Sequence, residues 1–278
     1  MLRFSRYELA TLAVLGAFTA AAVAGYAVFA VHPERIAALP GAAAAYGLAM
    51  SIFPRGHIVL GLLATVVLLT RYLGARWLPA FGAIYATSLA SELLGTTVGL
   101  PFGPYQYTAG LGIKWFAHVP VLIPASWFTM SIAAFVLTRR WIGVADRTAT
   151  IVFASFVLGS WDLVLDPAMS RLAPYWVWGS SGPYYGMPLL NLVGWYVTGL
   201  ALMALLVVLG ADRWTERLPT AAVRGFAFIY AANLALPIGL TVAGGIPGAA
   251  FTALAALAVV FGVGRLVQER VASPVTLP

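Results

Sequence analysis

The chain has 278 residues, of which 62% are hydrophobic and 9% charged, whereas a soluble domain carries about a quarter charged residues, so a soluble fold is excluded. It contains no cysteine, which removes disulfide frameworks, thiolate metal clusters and thiol nucleophiles. The formal charge is +7, but the 16 Lys and Arg lie scattered between long apolar runs, a distribution that marks membrane topology and argues against a nucleic-acid partner.

A membrane helix needs about 20 mostly apolar residues. The first such run, 9–31, follows Arg3 and Arg6 and contains Ala22-Val23-Ala24, as a signal peptide would. It outlasts a usual signal core, so a retained first span is expected. The next apolar region, 42–73, is interrupted by Pro54, Arg55 and His57. Its second part, 58–73, is predicted to cross, with 42–53 as a short interfacial or re-entrant helix. Further spans are predicted at 78–100, 119–137, 149–165, 189–209, 223–240 and 246–263. The expected fold is an all-α polytopic transmembrane helix bundle of about eight spans, one domain over 1–278, without internal repeats. With a cytoplasmic N-terminus, twelve arginines fall inside, from Arg3 and Arg6 to Arg265 and Arg270. Only Arg35, Arg55, Lys114 and Arg171 fall outside. That bias places both termini in the cytoplasm and the long loops 101–118 and 167–188 on the outer face of a bacterial-type cytoplasmic membrane.

Charged groups within a membrane helix are costly and suggest function by default. Glu8, Glu34, Asp146, Asp212, Glu216 and Glu269 are expected at the rims, but Glu92, Asp162 and Asp166 are not. Fourteen residues past Leu78, Glu92 lies roughly 21 Å from the cytoplasmic end, and Asp162, thirteen past Ala149, roughly 20 Å. Asp166 is one turn further out, before Pro167, which disfavours helix continuation. Asn191 opens the sixth span and Asn233 lies near mid-depth in the seventh, so polar groups converge on the outer half of the bundle. Asp162 and Asp166 are four residues apart and share a helix face. Two poorly solvated acids so close cannot both ionise cheaply, so one is expected to keep its proton and serve as a donor. For Asp166 alone, capping the following loop explains its position equally well.

Both outer loops are rich in Gly, Pro and aromatic residues. One reads Pro101-Phe102-Gly103-Pro104-Tyr105-Gln106-Tyr107; the other contains Tyr175-Trp176-Val177-Trp178 and Gly182-Pro183-Tyr184-Tyr185-Gly186-Met187-Pro188. An interfacial aromatic belt accounts for many of these rings. It accounts less well for two rigid loops over an acid cluster, where non-helical backbone survives only against protein or a cavity. Ring faces also attract positive charge, as a carbocation would require. His32, His57 and His118 lie near span ends without metal-ligand spacing and are expected to be interfacial, and Ser126 and Ser160 lack His–Asp partners. Gly95 and Gly99 are expected to mark close helix packing.

The blocks Glu92-Leu93-Leu94-Gly95-Thr96 with 101–107, Trp161-Asp162-Leu163-Val164-Leu165-Asp166-Pro167, and Tyr184-Tyr185-Gly186-Met187-Pro188-Leu189-Leu190-Asn191-Leu192-Val193-Gly194-Trp195 resemble the CruF-type integral-membrane carotenoid 1,2-hydratases. The resemblance covers about half the chain in one continuous arrangement. It implies addition of water across the terminal isopropylidene double bond of lycopene or a monocyclic carotene. The partners are then a carotenoid from the bilayer, water and lipid, with room for contacts with other carotenoid-pathway enzymes. Such chemistry needs a neutral carboxylic acid, cation-tolerant walls and one controlled water, and no metal or organic cofactor. The expected roles are Asp162 as proton donor paired with Asp166, Glu92 as base toward water or in exchange with Asp162, and Asn191 holding the water. Tyr105, Tyr107, Trp161, Tyr184, Tyr185 and Trp195 are expected to line the substrate pocket. Two alternatives stand beside this. Asp162-x-x-x-Asp166 is half of an intramembrane prenyltransferase metal–diphosphate site, and the acids would also suit the relay of a proton-coupled lipid or solute transporter.

Overall fold

Almost every apolar run folds as one helix, because in lipid only internal hydrogen bonds satisfy the backbone. The computed structural model describes residues 4–272. Arg3 and the side chain of Arg270, two of the arginines behind the orientation argument, lie outside the described part. The chain forms α1 (Arg6–Gly25), short α2 (Pro33–Ala38), α3 (Ala42–Leu73), α4 (Leu78–Val98), α5 (Leu122–Leu137), α6 (Arg147–Asp166), α7 (Leu189–Val208), short α8 (Ala211–Glu216), α9 (Thr220–Ala243) and α10 (Pro247–Ala272). Among the described residues, seven helices are long and apolar enough to cross a membrane. The eighth expected span is α4, a helix of 21 residues whose Glu92, serines and threonines dilute its apolar character. At about 1.5 Å per residue it is still long enough to cross. It packs on α5 and α7. The central helix is α5, thirteen of whose 16 residues are buried against α3, α4, α6 and α9.

The structure corrects three expectations. Residues 42–73 are not a re-entrant piece and a span but one continuous 32-residue helix, about 48 Å long and thus longer than the bilayer core of about 30 Å. Pro54 has no N–H to give the Met50 carbonyl four residues back; the Tyr175 hydroxyl donates to that carbonyl instead, at 3.2 Å. The same device recurs in α9, where Pro237 frees the Asn233 carbonyl and the Trp161 indole N–H donates to it at 2.9 Å. Pro167 does not end its helix either. It opens a wider π-helical turn, Pro167–Leu172, in whose first positions a missing N–H is tolerated.

Finally, Glu8 is not an ordinary rim residue but fully buried. It forms a capping box with Ser5 and pairs with Arg71 of α3 at 3.0 Å. Asp212 is likewise buried and held by Arg147 at 2.7 Å.

The two long loops join into one cap. Strand β1 (Tyr105–Tyr107) pairs antiparallel with β4 (Trp176–Trp178), Tyr105 opposite Trp178 and Tyr107 opposite Trp176. A second pair, β2 (Lys114–Trp115) and β3 (Val119–Pro120), leads the first loop back into α5. The cap seats deeply because two helical glycines admit it. A Cβ on Gly95 of α4 would stand 2.8 Å from Tyr105 and 2.9 Å from Phe102, and one on Gly194 of α7 would stand 2.5 Å from the Phe102 ring. The close packing expected at Gly95 is therefore against loop side chains.

Candidate active site

Side chains alternate faces along a strand, so Tyr-x-Tyr in β1 and Trp-x-Trp in β4 send four rings to one side of the cap. Below them stand the acids. Glu92, on α4, is 4% exposed; Asp162 and Asp166, one turn apart on α6, are each 1% exposed.

Three donors converge on Glu92. Its Oε1 accepts the Trp127 indole N–H at 2.8 Å, and its Oε2 accepts the hydroxyls of Tyr107 at 2.9 Å and of Tyr105. Burial, and then the neighbouring Glu92 charge, push both phenols well above their ordinary range, so they remain protonated donors.

The aspartates are tied differently. Asp166 Oδ1 accepts the indole N–H groups of Trp176 and Trp178, each at 3.1 Å. The Asn191 amide spans the pair, donating to Asp162 Oδ2 at 2.8 Å and to Asp166 Oδ2 at 3.1 Å. Among the described residues the other Asp162 oxygen, Oδ1, has no hydrogen-bond partner in the protein. None of the three acids forms an ion pair among the described residues.

All three acids and Asn191 line one cavity of about 60 Å³. It has room for a few small groups the size of water. Its remaining walls are largely aromatic. Trp127 stacks on Trp195 with ring centres 4.1 Å apart, and Trp161 meets Trp195 edge-on at 5.8 Å. Chemically this is a chamber with one lightly held carboxyl, Asp162, two firmly held carboxyls, Glu92 and Asp166, and ring faces able to stabilise a cation.

Of the residues expected from sequence, the structure brings Glu92, Asp162, Asp166, Asn191, Tyr105, Tyr107, Trp161 and Trp195 into this cavity. Tyr184 and Tyr185 are not among its lining. The bridges Gly182 to Gly186 and Tyr184 to Met187 fold their loop into a tight turn that directs Tyr184 to the Leu163 carbonyl, 2.7 Å, and Tyr185 toward Gly248 of α10. Asn233 lines an adjoining cavity. His57 is not interfacial but buried, hydrogen-bonded to Thr19 of α1 at 3.0 Å. Sequence reasoning missed Trp127, Trp176 and Trp178 as donors, and Phe102 and Ser126 as lining. The period-two spacing of aromatic residues in 105–107 and 176–178 was the available signal.

Comparison with known proteins shows the family. The sequence pattern of the carotenoid biosynthesis protein family matches residues 53–261, which include all three acids. The chain is also similar to the bisanhydrobacterioruberin hydratase of Haloarcula japonica, 29% identical over 136 residues. That match covers 48% of this chain and 45% of the relative, so it spans less than half of the relative's length. No solved structure matches the chain significantly. With three-quarters of its length inside the family pattern, the chain belongs to the carotenoid biosynthesis protein family.

Proposed function

We propose that the protein is a carotenoid hydratase, adding water across the terminal 1,2 double bond of an acyclic end group of lycopene or a monocyclic carotene. The observation that carries this reading is the unpartnered Asp162 oxygen in a cation-tolerant chamber that also holds a second carboxyl, Glu92. A similar protein bears a hydratase's name, which supports the same reaction class.

An isolated trisubstituted alkene is a weak base, so a proton must come from an acid positioned against it. Asp162 gives its proton to carbon 2; the π electrons form the new C–H bond and leave a tertiary cation at carbon 1. The faces of Trp161, Trp195 and Trp127 stabilise that charge. A water adds through oxygen to carbon 1 and surrenders a proton to Glu92, whose three donors suit it to the ionised form. Return of that proton to Asp162 through solvent closes the cycle, and the net change is alkene plus water to tertiary alcohol. Asn191 bridges the two aspartates and orients both carboxyls through its amide. In the membrane the cap faces the outer side, and the end group reacts in the outer half of the bilayer. A diphosphate-dependent prenyl transfer fits less well, because no Lys or Arg lines the chamber among the described residues to hold the phosphates.

The test is pigment analysis after expression in lycopene-producing cells. A more polar pigment, heavier by one water and absent with Asp162→Asn, is the expected result. Unchanged pigment in cells with abundant wild-type protein would overturn the reading.

A further inference from the structure

The chamber is too small for a long hydrocarbon, so most of the substrate must lie elsewhere. Two further cavities continue from it in sequence. The adjoining one, about 70 Å³, shares the walls Ile123, Ser126, Trp161, Leu165 and Trp176 with the acid chamber. It shares Pro54, Met169, Tyr175 and Leu236 with a groove of about 350 Å³. That groove runs between α1, α2 and the first half of α3, and no charged residue lines it. Its wall on α3 extends from Ala42 to Pro54, about 18 Å along the helix. A larger groove of about 470 Å³ lies between α6, α7 and α10, but it shares no lining residue with the acid chamber.

The necks between these spaces are built from the two proline devices. Pro54 and Tyr175 stand where groove and middle cavity meet, and Pro237 and Trp161 flank the middle cavity. At both points a helix gives up a hydrogen bond and an aromatic donor replaces it, which fixes a ring at each passage. Twelve of the 19 residues of the groove wall lie before residue 53, outside the stretch that matches the family pattern, whereas the acids lie within it.

We infer that the groove between α1, α2 and α3 holds the polyene chain of the substrate whose end group reacts at Asp162, and is the route by which it enters from lipid. This rests on the hydratase reading for the identity of the ligand. On it, the reacting end passes Tyr175 and then Trp161, while the chain stays in an uncharged, largely apolar bed that measures substrate length.

The test compares wild type with Ala49→Trp on α3 and Ala22→Trp on α1, which fill the groove from opposite walls. Ala256→Trp, in the disconnected groove, is the control. Each full-length protein is purified from carotene-producing cells as a monodisperse species. Retained carotene per protein is then measured, together with hydration of added lycopene. The groove variants should lose retention and turnover by about tenfold, equivalent to ~1.4 kcal/mol, and the control should match wild type. Wild-type turnover in both groove variants would overturn the inference, as would lost turnover with carotene retention intact. If wild type binds carotene but hydrates none, the reaction assignment fails, and retention alone judges the groove: lost in the two variants supports it, unchanged refutes it.

Discussion

The two ends of this bundle treat acids in opposite ways. At the end opposite the cap, each of three acids has an arginine: Glu8 with Arg71 at 3.0 Å, Asp212 with Arg147 at 2.7 Å and Glu216 with Arg139 at 2.5 Å. Beneath the cap, Glu92, Asp162 and Asp166 are buried as deeply as Glu8 and Asp212, yet their partners are Tyr, Trp and Asn. Burying a charge costs several kcal/mol unless it is paired. On the hydratase reading, leaving the acids unneutralised beneath the cap keeps them available for proton transfer. The difference lies in the partners, since depth is the same.

That contrast predicts a graded series of substitutions. Asp162→Asn removes the proposed donor at no change of shape, and turnover should fall by about 10²–10⁴, measured as alcohol formed per protein. Glu92→Gln should lower turnover by about 10² for loss of the base. Its amide must also turn an NH₂ toward Tyr or Trp donors, costing about 1–3 kcal/mol of stability, which thermal unfolding in detergent would register. Gly95→Ala pushes a methyl into Tyr105 and Phe102. Overpacking of this kind costs ~1–3 kcal/mol, and turnover should drop as Tyr105 leaves Glu92. Glu8→Gln at the paired end should reduce stability and leave hydration unchanged; lost turnover there would erase the distinction between the two ends.

The smallest effect is on pH. Burial pushes Tyr184, in the loop between α6 and α7, up to about 12, so the fold favours its protonated form. Its stabilisation is complete below the free phenol value near 10 and disappears as pH rises through about 12. Tyr105 and Tyr107 are displaced in the same direction. Turnover should therefore show no tyrosine ionisation up to pH near 10, as a rate profile on stable membranes would show.

Much of this was legible in the sequence because membrane constraints are strong and local. Apolar length located the helices, and carboxyls inside them located the chamber. What stayed hidden depends on contacts between distant segments. Residues 42–73 read as broken because Pro54 costs a hydrogen bond, and the replacement comes from Tyr175, 125 residues from Met50. His57 read as interfacial because its partner Thr19 belongs to another helix. The donors Trp176 and Trp178 sit in a strand of three residues, too short for its alternation to stand out from an aromatic belt. Tyr184 and Tyr185, adjacent to such rings in sequence, are carried off by a tight turn.

The central claim is that a buried carboxylic acid delivers a proton to carbon. Hydration in heavy water, followed by mass spectrometry of the product after back-exchange, reads that step directly. The account predicts one non-exchangeable deuterium, on the carbon next to the new tertiary alcohol, with label appearing at wild-type rate and hardly at all for Asp162→Asn. An equally labelled product at equal rate from Asp162→Asn would contradict it.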